Sequence, residues 1–141
     1  MGLGRISRFV KVPAGARRLP VMRLGTQGEK ALAPSMQLLA DFTDVKKRLK
    51  QEGMSAGPAH AETFLRVDYA RRFCEQILGD PAAVKALRSV IEESKRGDLY
   101  LMCMCPPRTP DRACHTYLLL DLARELDPAV GILPEPGPAT D

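Results

Sequence analysis

The sequence predicts a single small α/β domain with a central, mostly parallel sheet flanked by about four helices, and three observations carry that prediction. The run Asp98–Cys105 (DLYLMCMC) places apolar residues at both alternating positions, the pattern of a strand buried on both faces by covering helices. Three stretches before it and one after it repeat apolar residues at helical spacing. At 141 residues and 45% hydrophobic, the chain is long enough to bury one core without staples.

Taken in order, Arg5 to Val12 alternates loosely, with Ile6, Val10 and Val12 among polar neighbours, and Leu19 to Leu24 is a second short β candidate. Gly25 to Pro34 reads as a loop. Ser35 opens a helix with the stripe Leu38, Phe42, Val45 and Leu49, and Lys46, Lys47, Arg48 and Lys50 load its C-terminal end with cations that suit the helix dipole. Gly53, Gly57 and Pro58 break the pattern, which leaves His60 in a surface loop. From Glu62 to Leu78 the series Leu65, Tyr69, Phe73, Ile77 falls on one helical face, and Gly79 closes it. Asp80-Pro81 caps a further helix that carries Val84, Leu87 and Ile91 to about Arg96.

The buried strand follows, and Pro106-Pro107 ends it, so that Cys105 is its last residue. Thr109-Pro110-Asp111 supplies a cap, a first-position proline and an early acid. The last helix therefore runs from about Asp111 to Leu126 with Cys114 and His115 in its first turns. Tyr117, Leu118, Leu119, Leu120, Leu122 and Leu126 make that helix apolar over most of its circumference. The domain spans residues 1–128. Residues 129–141 form a proline-rich tail, with Pro134, Pro136 and Pro138, that is either a short strand from Val130 to Leu133 followed by disorder or disordered throughout.

The net charge is +4 and unevenly spread: Arg5, Arg8, Lys11, Arg17, Arg18 and Arg23 all precede the first acid, Glu29. With few interleaved aromatics, this arm reads as a solvated basic surface in preference to a nucleic-acid grip. No segment approaches the roughly 20 apolar residues of a membrane span, and the N-terminus lacks a secretory apolar stretch. The expected location is cytoplasmic, where thiols stay reduced, so the four cysteines read as free, metal-bound or reactive.

Three of those cysteines, Cys103, Cys105 and Cys114, lie with His115 inside thirteen residues, where the buried strand meets a helix start. Ligands of α/β sheets sit outside the carboxyl ends of strands, beside helix N-termini. Cys74, on the Tyr69 stripe, and Cys103, mid-strand, read as core packing. Cys103 and Cys105 share a strand face about 6.5 Å apart, too far for a disulfide, so Cys105 to Cys114 is the only bridge open. Helix amides and the positive dipole end favour a thiolate at Cys114. His115 reads as a base, a metal ligand, an anion-binding donor or a plain carbonyl partner. The cysteine-residue-cysteine spacing on a strand separates the thiols, so a ligand pocket ranks above a metal site.

The buried strand, the proline-containing loop and Cys114-His115 at the start of an apolar helix resemble the C-terminal signature of domain-of-unknown-function family four-eight-eight, which continues as Cys-His-Arg. Leu32-Ala33-Pro34-Ser35 is similar to that family's Pro-Ser helix start, and Val21-Met22-Arg23-Leu24 stands in the place of its N-terminal strand ending in arginine. The similarity covers roughly Arg5 to Leu126. Departures are Met22 where members often carry an acid, Gly25-Thr26-Gln27 in place of Trp-Pro-Arg, and Thr116 in place of the arginine after Cys-His. The resemblance implies a compact α/β fold with a largely parallel sheet and brings no established reaction.

The leading expectation is a pocket at the carboxyl ends of the strands lined by Arg23, Cys105, Cys114 and His115, taking a small anionic, nucleotide-like ligand. In it Cys114 serves as thiolate, His115 as hydrogen-bond partner or base, and Arg23 as anion anchor, with Cys105 on the wall. The alternatives are a thiol-based metal or redox module and a nucleic-acid-binding protein using the basic arm and the Lys46 to Lys50 cluster. No cofactor and no oligomeric state is legible.

Overall fold

Strand β3, Leu99–Cys103, is buried along its whole length and pairs on both sides in parallel, with β1, Leu3–Ser7, on one edge and β2, Arg17–Pro20, on the other. The computed structural model describes residues 1–137 of the chain, so Pro138 and the end of the expected tail lie outside the described residues. Register sets the two faces. Leu3, Arg5 and Ser7 stand opposite Leu99, Leu101 and Cys103 on one face, and Gly4 and Ile6 opposite Tyr100 and Met102 on the other.

Five helices complete the fold: α1 Met36–Gln51, α2 Ala56–Arg66, α3 Tyr69–Leu78, α4 Pro81–Ser94 and α5 His115–Leu126. Leu3, Leu99 and Leu101 join Phe73, Ile77, Leu87, Ile91 and Leu119 in the main core, so α3, α4 and α5 cover the first face. The other face is closed without a helix: Val10, Val12, Ala16, Met22 and Leu133 pack on Ile6, Tyr100 and Met102. Val10 and Val12 are therefore covering residues after β1, whose strand lies earlier than the Arg5–Val12 reading placed it. The chain also returns along the outer edge of β1. Leu3 N–H donates to the Gly131 carbonyl at 2.8 Å, and Leu133 N–H to the Leu3 carbonyl at 2.9 Å. Glycine is required beneath this segment, because a Cβ on Gly4 would sit 2.8 Å from the Tyr100 ring and 3.0 Å from Leu133.

Several local expectations hold. Ser35 caps α1, its Oγ accepting from Leu38 N–H at 3.1 Å, and Asp80 caps α4 ahead of Pro81. Others are corrected. Gly57 and Pro58 lie inside α2, because a proline in the first turn removes an N–H that has no helical partner anyway. The Glu62–Leu78 helix is two helices, broken where Asp68 takes a left-handed turn at φ 54°. Tyr69, Phe73 and Ile77 are buried as the stripe predicts, whereas Leu65, beyond the break, is 73% exposed.

The strand ends at Cys103 and not at Cys105. Its last registered partners are Ser7 and Pro20, and with no strand beside it the chain bends away through Met104 and Cys105. Pro110–Arg112 forms one 3-10 turn, within which Asp111 and Arg112, both at positive φ, stop helix propagation. Cys114 is therefore the extended residue capping α5, and His115 is its first helical residue.

Two substitutions check this layout. Leu101→Ala, in the strand buried on both faces, is expected to lower unfolding free energy by about 2–5 kcal/mol, and Leu65→Ala to change it by less than about 0.5 kcal/mol, both read by chemical denaturation. Equal effects would contradict the break at Asp68.

Candidate functional site: three thiols at the wall of an apolar cavity

The bend after β3 gathers the cysteines. With the strand finished at Cys103, Cys105 turns back towards the cap of α5, and the Sγ atoms of Cys103, Cys105 and Cys114 all lie within 4.8 Å of one another. All are free thiols. The spacing argument that held Cys103 and Cys105 apart assumed both on one strand, and Cys103 is a member of the cluster beyond its packing role. Cys74, half-buried on α3, stays outside it as expected.

A buried cation stands behind the cluster. Arg5, assigned from sequence to the exposed basic arm, is 1% exposed because β1 register places it on the helix-covered face opposite Leu101. Every nitrogen of its guanidinium is engaged. Nε–H donates to Thr116 Oγ1 at 2.8 Å, one terminal nitrogen to Tyr117 Oη at 2.9 Å and to the Glu135 carboxylate at 2.5 Å, and the other to Cys103 Sγ at 3.0 Å and Thr109 Oγ1 at 3.3 Å. Glu135, from the chain's return segment, is held in turn by Tyr117 Oη and the Arg108 N–H. A buried guanidinium needs such a counter-ion, since desolvation otherwise outweighs what its hydrogen bonds return.

This arrangement favours negative charge on one sulfur of the cluster. Thr116 Oγ1 accepts from Arg5, so its own proton points to sulfur, 3.2 Å from Cys114 Sγ and 3.8 Å from Cys103 Sγ. Burial by itself pushes the Cys114 thiol up. Hydrogen bonds from the Cys103 and Cys105 thiols, the Arg5 charge and the Thr116 hydroxyl outweigh it and hold Cys114 well below the ordinary thiol range. Cys105 is pushed up by its hydrogen bonds with Cys103 and Cys114 and by burial. Cys103 is pulled down by Cys105 but ends raised through Cys114 and burial. Of the three sulfurs, Cys114 is thus the one whose surroundings favour the charged form.

Cys105 and Cys114 also face a cavity of about 140 Å³, walled by Phe42, Phe64, Tyr69 and Met104 and by His60 and His115. His115 is 7% exposed; its Nε2 lies 2.7 Å from the Val21 carbonyl, which only accepts, so Nε2 bears the proton and Nδ1, 3.8 Å from Cys114 Sγ, is left as an acceptor. His60, read as a surface loop residue, is a half-buried residue of α2. Its Nε2–H donates to the Ala113 carbonyl at 2.7 Å, its Nδ1 accepts from Lys46 Nζ at 3.3 Å, and its ring meets Phe42 edge-on. Burial lowers both histidines and keeps them neutral.

All four residues expected to line a pocket, Arg23, Cys105, Cys114 and His115, line this one, and it lies beyond the carboxyl ends of β2 and β3. Arg23 donates to the carbonyls of Pro34, Lys30 and Ala33 at 2.8, 3.1 and 3.2 Å and pins the turn before α1. With Arg5 and Arg23 engaged internally, two of the six cations of the basic arm are not on offer to a polyanion. Sequence reasoning missed Arg5 and His60. Arg5 was legible only as an alternate-position residue of an edge strand, and His60 only if Pro58 is read as a first-turn proline.

No family model, no curated protein and no solved structure matches the chain. Among the described residues no helix is long and apolar enough to cross a membrane. Three sulfurs so close together form a donor set that could hold a metal ion of soft or borderline character.

Two outcomes follow from the buried charges. Arg5→Met strands the Glu135 carboxylate without its buried partner, and is expected to cost about 3–5 kcal/mol in denaturant unfolding. Adding Glu135→Gln should restore part of that loss, and strict additivity would mean the pair is uncoupled. On unfolding in acid, both histidines take up protons refused in the fold, and the Cys114 thiolate does likewise, so stability should fall as pH drops from about 7 to 5. A His60→Asn/His115→Gln variant should show a shallower fall in thermal melts; an unchanged slope would mean that the folded histidines are charged.

Proposed function

We propose that the protein binds a small ligand in the 140 Å³ cavity and presents Cys114 to it as a reactive thiolate, with His115 Nδ1 as the neighbouring acceptor and Cys105 on the wall. The observation that carries this reading is the Arg5–Thr116–Cys114 chain of hydrogen bonds, which aims a hydroxyl proton and a buried positive charge at one sulfur on a cavity wall. A thiol serving only to fill space needs neither. The ligand is a small anion, bound at the carboxyl ends of the strands, and Arg23 shapes the wall through its grip on the turn at Lys30–Pro34. Cys114-His115 at a helix start also carries the resemblance to domain-of-unknown-function family four-eight-eight, and we propose that affiliation on those residues.

A second reading has its own observation. With three sulfurs within 4.8 Å, the cluster could hold a metal ion, with Arg5 and Thr116 donating hydrogen bonds to the sulfurs from behind. One experiment separates the two. Peptide-mapped alkylation with iodoacetamide at about pH 6.5, below the usual thiol range, is run on untreated and chelator-treated protein. Cys114 is expected to react first in both samples, Cys105 more slowly, and Cys74 and Cys103 only on unfolding; Thr116→Val, which removes the hydroxyl donated to Cys114 Sγ, should slow Cys114. Inertness of Cys114 in both samples would sink the thiolate reading, and reactivity appearing only after chelation would replace it with the metal site.

A further inference from the structure

The cavity does not end in a plain opening. A second, open groove continues from it, sharing Leu39, Phe42, His60, Met104 and Cys105 with the cavity wall and adding Lys46, Lys47 and Lys50 of α1. Among the described residues none of these three ammonium groups has a carboxylate within ion-pair distance. Lys46 is half-buried at the junction, where its Nζ finds only the neutral His60 ring. Surface lysines usually lie in bulk water or beside an acid; a half-desolvated one with an uncharged partner is a cation short of an anion.

The inner chamber selects for a different property. Its volume is roughly that of a 150 Å³ cavity able to admit benzene, so it takes a single ring and not a nucleoside. Its walls are aromatic: Phe42 meets His60 and Tyr69 edge-on, at centroid distances of 4.8 and 5.8 Å, and Phe64 stacks on Tyr69 at 4.7 Å. Tyr69 itself is 6% exposed, and its hydroxyl makes no hydrogen bond among the described residues. Since no buried polar side-chain atom is left unpartnered, that hydroxyl borders the cavity's open space. A buried phenol with a vacant donor at the rim of an aromatic chamber calls for an acceptor atom on the guest.

We infer that the ligand is a small aromatic anion of the aryl phosphate kind, its ring in the chamber against Phe42, Phe64 and Tyr69, an oxygen accepting from Tyr69, and its charged group on Lys46, Lys47 and Lys50. This deepens the reading of the cavity as the ligand site and rests on it. It also narrows the nucleotide-like expectation to one ring and one phosphate, and moves the anion anchor from Arg23 to α1.

Calorimetric titration of the whole protein with phenyl phosphate, phenol and inorganic phosphate tests the inference. Phenyl phosphate is expected to bind about tenfold or more tighter than either fragment. Lys46→Gln/Lys47→Gln/Lys50→Gln should weaken phenyl phosphate by about tenfold and leave phenol unchanged, while Lys85→Gln/Arg88→Gln on α4 with Arg96→Gln just after it, the same charge change, should leave both unchanged. Tyr69→Phe should weaken phenyl phosphate several-fold while retaining cooperative melting. Phenol binding as tightly as phenyl phosphate, inorganic phosphate binding as tightly, equal loss in the α4 control, or no binding by any of the three would each overturn the assignment. Bound phenyl phosphate should also protect Cys114 from iodoacetamide. A Cys114 that reacts but is not protected refutes this ligand alone, whereas a Cys114 inert without ligand refutes the thiolate reading and leaves the calorimetry to decide the ligand.

Discussion

The Arg5 guanidinium is the charge on which the rest of the site depends. It sits on the helix-covered face of the sheet, where its partner in register is Leu101, and a cation there is tolerated only if its surroundings supply acceptors for every donor. Those acceptors come from four separate parts of the chain: Cys103 at the end of β3, Thr109 in the following loop, Thr116 and Tyr117 on α5, and Glu135 from the return segment. Satisfying one guanidinium therefore fixes the loop between β3 and α5, the orientation of the first turn of α5 and the docking of residues beyond the last helix.

The same fixation supplies the chemistry. Glu135 balances part of the buried positive charge, and the remaining donors reach sulfur directly from Arg5 and through the Thr116 hydroxyl. A thiolate buried without such partners would be expelled as a thiol. The cation reaches the cluster from β1, and the threonine hands on its influence. Arg5 and Cys103 are contributed by strands that pair in register, which keeps their separation set by the sheet and not by a loop.

Two coverings of the sheet explain why the site lies where it does. Helices α3 to α5 shield one face, while irregular chain from Val10 to Met22 and Leu133 closes the other. Beyond the carboxyl ends of β2 and β3 neither covering is complete. The gap is walled by α1, α2 and the start of α3, which bring aromatic rings and His60 to the thiols and leave the lysines of α1 at the mouth.

The chain's local chemistry was enough to establish the parallel α/β class, the strand buried on both faces, the caps at Ser35 and Asp80 and the meeting of Cys105, Cys114 and His115 at one pocket. Each of these rests on short-range patterning: alternation, helical spacing, a capping side chain or a proline at a helix start. Tertiary structure alone decided the rest. Where β3 stopped depended on how far its neighbours β1 and β2 ran, and that end point turned Cys103 and Cys105 from separated strand residues into one cluster. Whether Arg5 faced water or the core depended on strand register, and whether His60 lay on a loop or a cavity wall depended on α2 packing against α1. Long-range pairing of that kind joins residues about a hundred positions apart, and no periodicity within a window of a dozen residues encodes it.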